Sequence, residues 1–153
     1  MWRAILAGGG AFAADRALKI MAREGELPHD PPGGLLHFSR LENAGLAGGV
    51  CRDSKELSRN LPCLTFALAV PALLANFGKK SRAEQLGTAL LLGGSAGNVY
   101  DRVRRGTVTD MLQFPKAPGR LKHLVFNPAD FAILIGGAVT AGAALRNSIK
   151  KEG

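Results

Sequence analysis

Four apolar stretches, each close to the length that crosses a lipid bilayer, set the tightest limit on what this chain can fold into. They run from Trp2 to about Ala22, from Leu61 to Phe77, from about Ala83 to Tyr100 and from about Phe131 to Leu145. The last reaches back to Phe126 when Asn127 and Asp130 are included. A spanning helix takes roughly 17–25 residues. The second and third stretches meet that length, and the first and fourth meet it when their polar residues sit at one end, near the interface. The 20 glycines are many for a soluble helical domain but suit helices that pack inside a bilayer. Mean hydropathy is only +0.07, because polar segments alternate with apolar ones. The expected fold is membrane all-α: a four-transmembrane-helix bundle forming one embedded domain over residues 1–153, with spans near 2–22, 61–77, 83–101 and 127–145.

The connections differ in kind. Arg23 to Asn60 holds Pro28, Pro31, Pro32, Gly33, Gly34 and many charges, so it is not helical throughout. Within it, LLHFSRLENAG alternates in part and can form short strands, which makes this extracytoplasmic segment between helices 1 and 2 the expected place for any β structure. GKKSRAE is a short basic turn, and DRVRRGTVTDMLQFPKAPGRLKH a longer polar connection. With four spans, the turn with Lys79, Lys80 and Arg82 shares one side with the N-terminus and with the basic tail RNSIKKEG. The positive-inside rule makes that side cytoplasmic, although Arg102, Arg104, Arg105, Lys116, Arg120 and Lys122 weigh on the other. A competing reading of the N-terminus is a cleaved signal peptide with Ala11-Phe12-Ala13 as its processing motif.

A formal charge of +8 fits either nucleic acid or anionic lipid head groups. No aromatic-interleaved basic stripe, zinc spacing or basic repeat accompanies it, so membrane lipids are the expected partner and nucleic acid is not. Cys51 and Cys63 make one pair at most, too little for a disulfide framework, and the plainer reading is two unpaired small residues. His29, His37 and His123 match no metal-ligand spacing and read as surface residues.

Against this background two carboxylates stand out. Asp110 lies in GTVTDM and Asp130 in FNPADF, at the edge of the fourth apolar stretch. A carboxylate there is costly and points to chemistry or transport. The two flank one connection and could meet across a helix–loop–helix. A carboxylate pair close enough to share a proton can activate water for peptide hydrolysis. Other polar groups fall at helical spacing. Asp15 and Lys19, four apart, can pair as an anchor at the interface or beside an active site. Asn98, Asp101 and Arg102 project from one side of the third helix, where Arg102 can grip a carboxylate with two prongs. Gly93, Gly94 and Gly97 on that helix leave room for close approach. In FNPAD, Asn127 suits a helix cap, Pro128 a first helical position and Asp130 the first turn, where the helix dipole favours negative charge. Simple capping is the plainer reading of Asn127 and Asp130 taken alone.

GGSAGNVYDRVRRGTVTDMLQF followed by VFNPADFAILIGG resembles the C-terminal half of bacterial lipoprotein signal peptidases (signal peptidase II). The family pattern, roughly GNxxDRxxxGxVxDF and then FNxAD, is matched at Gly97, Asn98, Asp101, Arg102, Gly106, Val108, Asp110, Phe126, Asn127, Ala129 and Asp130. Asp15 and Lys19 match the family's DxxxK, and Asn43 and Gly45 the start of its NxGAAF segment. Met111 stands where Phe is usual, and Leu46-Ala47-Gly48 replaces Ala-Ala-Phe. The resemblance implies a membrane aspartic endopeptidase of the bacterial cytoplasmic membrane, multi-pass, with its active site near the outer face. Its implied substrates are prolipoproteins with a lipid-modified cysteine, and neither metal nor organic cofactor is implied. Asp110 and Asp130 would be the catalytic pair. Asp15, Lys19, Asn43, Gly45, Asn98, Asp101, Arg102 and Asn127 would support the site or bind substrate. The alternatives are a family member that binds lipidated peptides without cleaving them, and a soluble, exported, basic helical protein.

Overall fold

The computed structural model describes residues 1–45, 54–75 and 77–152. Four long helices carry the chain: α1 (Trp2–Glu24), α2 (Lys55–Leu74), α3 (Arg82–Arg105) and α4 (Pro128–Glu152). Three strands join them into one small sheet: β1 (His37–Asn43), β2 (Val108–Gln113) and β3 (Val125–Phe126), with β2 in the middle and both pairings antiparallel. The four apolar stretches are therefore helical, but the molecule is not all-α. The expected β structure after α1 exists as β1, and its partner β2, with β3 beyond it, lies in the connection between α3 and α4, whose composition reads as a polar connection. Val108, Thr109 and Val125 are β-branched, and pairing across the sheet turns that local preference into structure.

Local chemistry explains the helix ends. α1 stops at Gly25, whose φ of 78° lets its N–H bond the Met21 carbonyl. α3 opens on a capping box in which the Ser81 side chain accepts from the Glu84 N–H and Glu84 returns the bond to Ser81. It closes at Gly106, φ 76°, and this left-handed turn sends the chain straight into β2. α2 begins six residues earlier than the apolar run, at Lys55, because the Ser54 side chain caps the Leu57 N–H. It ends at Leu74 rather than Phe77, and the Lys80 ammonium takes up the freed Leu73 carbonyl at 2.7 Å. α3 and α4 run on to Arg105 and Glu152, beyond the apolar limits expected. α1 continues unbroken through Ala11–Ala13, and its later half packs into the fold.

α3 is the central helix, set against the other three. Glycines allow this closeness. A methyl group on Gly93 would strike the Gly8 carbonyl of α1, and one on Gly136 of α4 would stand 2.6 Å from the Gly87 carbonyl of α3. The distribution of polarity is inverted relative to a protein dissolved in water. Asp15, Lys19, Thr88, Asp101 and Thr109 are fully buried, whereas Trp2, Leu6, Leu68, Leu134 and Leu145 lie well exposed. Among the described residues, α4 alone is apolar enough on average to pass as a span, over Pro128–Ile149 with mean hydropathy 1.5. α1 and α3 turn their charges toward each other, so their averages understate how apolar their outer faces are.

Candidate active site

β2 and the N-terminus of α4 bring the two aspartates together. Asp110 sits on β2 opposite Leu41, and Asn43 of β1 lies one diagonal step away on the same face. From there the Asn43 amide donates to Asp110 Oδ2 at 3.0 Å. At the mouth of α4, Asn127 and Asp130 cap each other. The Asp130 N–H donates to Asn127 Oδ1 at 3.1 Å, and the Asn127 N–H donates to Asp130 Oδ2 at 3.0 Å. The remaining Asn127 group, its side-chain NH2, donates to Asp110 Oδ1 at 2.6 Å. One residue thus holds both carboxylates. Asn98 from α3 completes the set by donating to Asp130 Oδ1 at 3.0 Å. All four carboxylate oxygens accept an N–H.

Asp110 is 2 % exposed. Burial pushes its carboxyl up to about 6, and the neighbouring Asp130 charge adds to that push, while the bonds from Asn127 and Asn43 and the charge of Lys19 oppose it. A carboxyl that titrates near 6 beside a second carboxylate is suited to acid–base work.

Behind the aspartates lies a buried ionic cluster. Lys19 Nζ is 2.9 Å from Asp15 Oδ2, 3.2 Å from Asp101 Oδ2 and 2.9 Å from Asn98 Oδ1. Asp15 also accepts the Ala129 N–H at the start of α4. The Asp15–Lys19 pair is therefore no interfacial anchor, because both side chains are wholly enclosed between α1, α3 and α4. Asp101 gathers Arg16 at 2.6 Å, Arg105 at 3.1 Å and Arg23 at 3.7 Å, and accepts the Thr109 N–H beside Asp110. Arg102 donates to the Gly45 carbonyl at 3.2 Å and the Asn98 carbonyl at 3.4 Å. Gly45 in turn donates its N–H to Asn43 Oδ1. All ten expected site residues accordingly belong to one connected network.

Sequence reading missed several members. Arg16 and Arg23 share the Lys19 stripe of α1 at helical spacing, a signal present in the sequence but not used. Arg16 also stacks over Tyr100, 4.5 Å from the ring centre. Glu42 binds the Thr107 hydroxyl at 2.9 Å, and only β1–β2 pairing could have revealed it. Met111, the departure from the usual Phe, is fully buried. Phe114, Phe126 and Phe131 pack as a ring cluster at the sheet–α4 junction. His37 is half exposed and meets Asp30 at 2.6 Å, while His29 and His123 are exposed as expected. Leu46-Ala47-Gly48 and Cys51 lie outside the described residues.

The chain was compared with known proteins. The sequence profile of signal peptidase (SPase) II matches residues 9–146. A lipoprotein signal peptidase of Solibacter usitatus is 35% identical, over 88% of this chain and 85% of the relative. One of Acaryochloris marina is 31% identical, over 97% and 94%. The fold is similar to that of a bacterial membrane enzyme solved by the in meso method at 2.3 Å resolution, with a TM-score of 0.83 at 22% identity, covering 99% of this chain and 92% of that one. A second such structure, at 1.9 Å resolution, gives 0.76 at 23% identity, over 95% and 94%. With its long helices greasy outside and charged within, and with its sequence matched along nearly its full length, the chain belongs to the signal peptidase II family.

Proposed function

We propose that Asp110 and Asp130 are the catalytic dyad of an aspartic endopeptidase that removes signal peptides from prolipoproteins whose cysteine already carries a diacylglyceryl group. The family makes the protein a membrane protease acting on lipoprotein precursors. The observation that carries the aspartic assignment is Asn127, which binds both carboxylates at once.

The chemistry follows from two like charges held this close, which do not both ionise readily. One aspartate is the base and takes a proton from water as the oxygen attacks the carbonyl preceding the lipidated cysteine. The other is the acid and hands its proton to the carbonyl oxygen, giving a tetrahedral diol. When the diol collapses, one of its hydroxyls returns a proton to the second aspartate, the C–N bond breaks and the first aspartate gives its proton to the departing amine of the cysteine. The asparagine amides hold the carboxylates in register throughout, so little reorganisation accompanies charge movement. The four helices, of 23, 20, 24 and 25 residues, are each long enough to cross about 30 Å of hydrocarbon. In this reading all four span the bacterial cytoplasmic membrane as one domain. The turn at 78–81 and the tail are cytoplasmic, and the sheet with its dyad lies at the outer face. Asp15, Lys19, Asn43, Gly45, Asn98, Asp101, Arg102 and Asn127 support the dyad or the bound substrate.

The test is cleavage of a diacylated prolipoprotein by purified wild-type protein and by Asp110→Asn and Asp130→Asn. The expected result is turnover by the wild type and a loss on the order of 1,000-fold or more in either variant. Wild-type binding without turnover would instead make the chain a lipopeptide-binding relative, and processing by either variant at the wild-type rate would remove the dyad assignment.

A further inference from the structure

Each of the three asparagines at the dyad could present either end of its amide, the oxygen or the NH2. In each, a second donor settles the choice. The Gly45 N–H occupies Asn43 Oδ1, and the Asp130 N–H occupies Asn127 Oδ1. Both are backbone groups whose position the fold sets. For Asn98 the donor is different in kind: it is the ammonium of Lys19, at 2.9 Å. With its oxygen held by Lys19, Asn98 points its NH2 at Asp130 Oδ1.

We infer that Lys19 is a positioning residue that keeps Asp130 in the acceptor state required of the catalytic base, acting through Asn98 rather than by contact. This rests on the dyad reading above and adds to it which aspartate does what. Asp130 has the surroundings of a base: the first turn of a 25-residue helix, the Asn127 N–H and the Asn98 amide polarised by a buried cation. Asp110 sits within a strand and meets the start of α4 through the Asn127 side chain. The proton of the dyad then belongs to Asp110, in agreement with the upward push of burial on that carboxyl.

Several other charges face this relay, and Arg102 acts electrostatically on both Asp110 and Asp130. On α1, Asp15 neutralises Lys19 and ties to the start of α4 through the Ala129 N–H, and Arg16 and Arg23 face Asp101. On α3, Asp101 holds Lys19 and Arg105, and Arg102 reaches Gly45. On the sheet, Glu42 faces Thr107 and Thr109, and Asp110 lies beyond Asn127. Lys19 is the charged donor to Asn98 Oδ1.

Lys19→Met alone would strand the Asp15 carboxylate in the interior and could fail for that reason. The informative variant is Asp15→Asn with Lys19→Met, which removes one charge of each sign. The variant is purified in detergent and assayed on the diacylated substrate across pH. The expected result is a protein that melts as one species, with kcat reduced about tenfold and KM changed less than about twofold. The acid limb of its kcat/KM profile moves upward, because the dyad loses the amide donor that Lys19 turns toward it. Wild-type kcat with an unmoved acid limb overturns the inference and leaves Lys19 a folding residue. Asn98→Ala keeps the whole ionic cluster and is measured alongside. It is expected to give the same limb shift, and an unshifted limb there overturns the relay even when the double variant does not fold. Asp130→Asn separates the two levels of the argument: if it retains activity, the dyad itself is wrong, whereas its inactivity with an unshifted Asn98→Ala profile defeats only the role of Lys19.

Discussion

Asp110 carries its burial as a pH dependence. Its folded-state pKa, about 6, lies above the ordinary value of 3.8, so the folded protein prefers the neutral carboxyl. Stability from this group is full below about pH 4 and is lost as pH rises through about 6, at a cost of about 3 kcal/mol once both states are ionised. Thermal unfolding in detergent between pH 4 and pH 8 should show that decline, and Asp110→Asn should flatten it. The same proton is the one the proposed acid must deliver, so kcat/KM of the wild type should fall as pH climbs beyond about 6. A profile rising through pH 8 would contradict this. The residues that the structure gathers around Asp110 and Asp130 could be named in advance from GNVYDR, TVTDM and FNPAD, where polar groups border apolar runs. The Asn98–Lys19 link was not legible, because 79 positions separate the two in sequence and only helix packing joins them.

Among the elements, α3 shows how glycine content becomes function. Its Gly93 and Gly97 lie against α1, where a methyl would meet the Gly8 carbonyl or the Asp15 carboxylate. Gly93→Ala or Gly97→Ala should therefore lower thermal stability by about 1–3 kcal/mol, through forced separation of α1 from α3. Gly10→Ala is the matched control, because nothing lies within 4 Å of a methyl there. It should be neutral or raise stability by up to about 1 kcal/mol from helix propensity. Equal effects at the three positions would refute the close-approach account. The positions and approximate lengths of the helices could be read from their apolar runs. The sheet could only be half read. β1 alternates visibly, but β2 and β3 are short, and β2 is buried along most of its length, so neither shows the period of two that betrays a half-exposed strand.

For the whole molecule, the inverted polarity has a direct consequence. With Leu68, Leu134 and Leu145 facing outward and the charges of α1 and α3 facing inward, the protein should stay in the membrane pellet through alkaline carbonate and high-salt washes. Release by either wash would contradict its placement among membrane proteins. What the sequence alone determined was the inventory: four helix-length apolar segments, the Asn127 cap, and nine polar residues and one glycine at motif spacing. Those follow from local composition and spacing, which act within a few turns of chain. The tertiary structure decided which polar group meets which. It put Asn127 between the two aspartates, turned Arg102 to backbone carbonyls and buried Asp15 with Lys19 at the centre. Those outcomes depend on strand register and on glycine seams between helices distant in sequence, and in a low-dielectric interior each buried charge must find its partner through them.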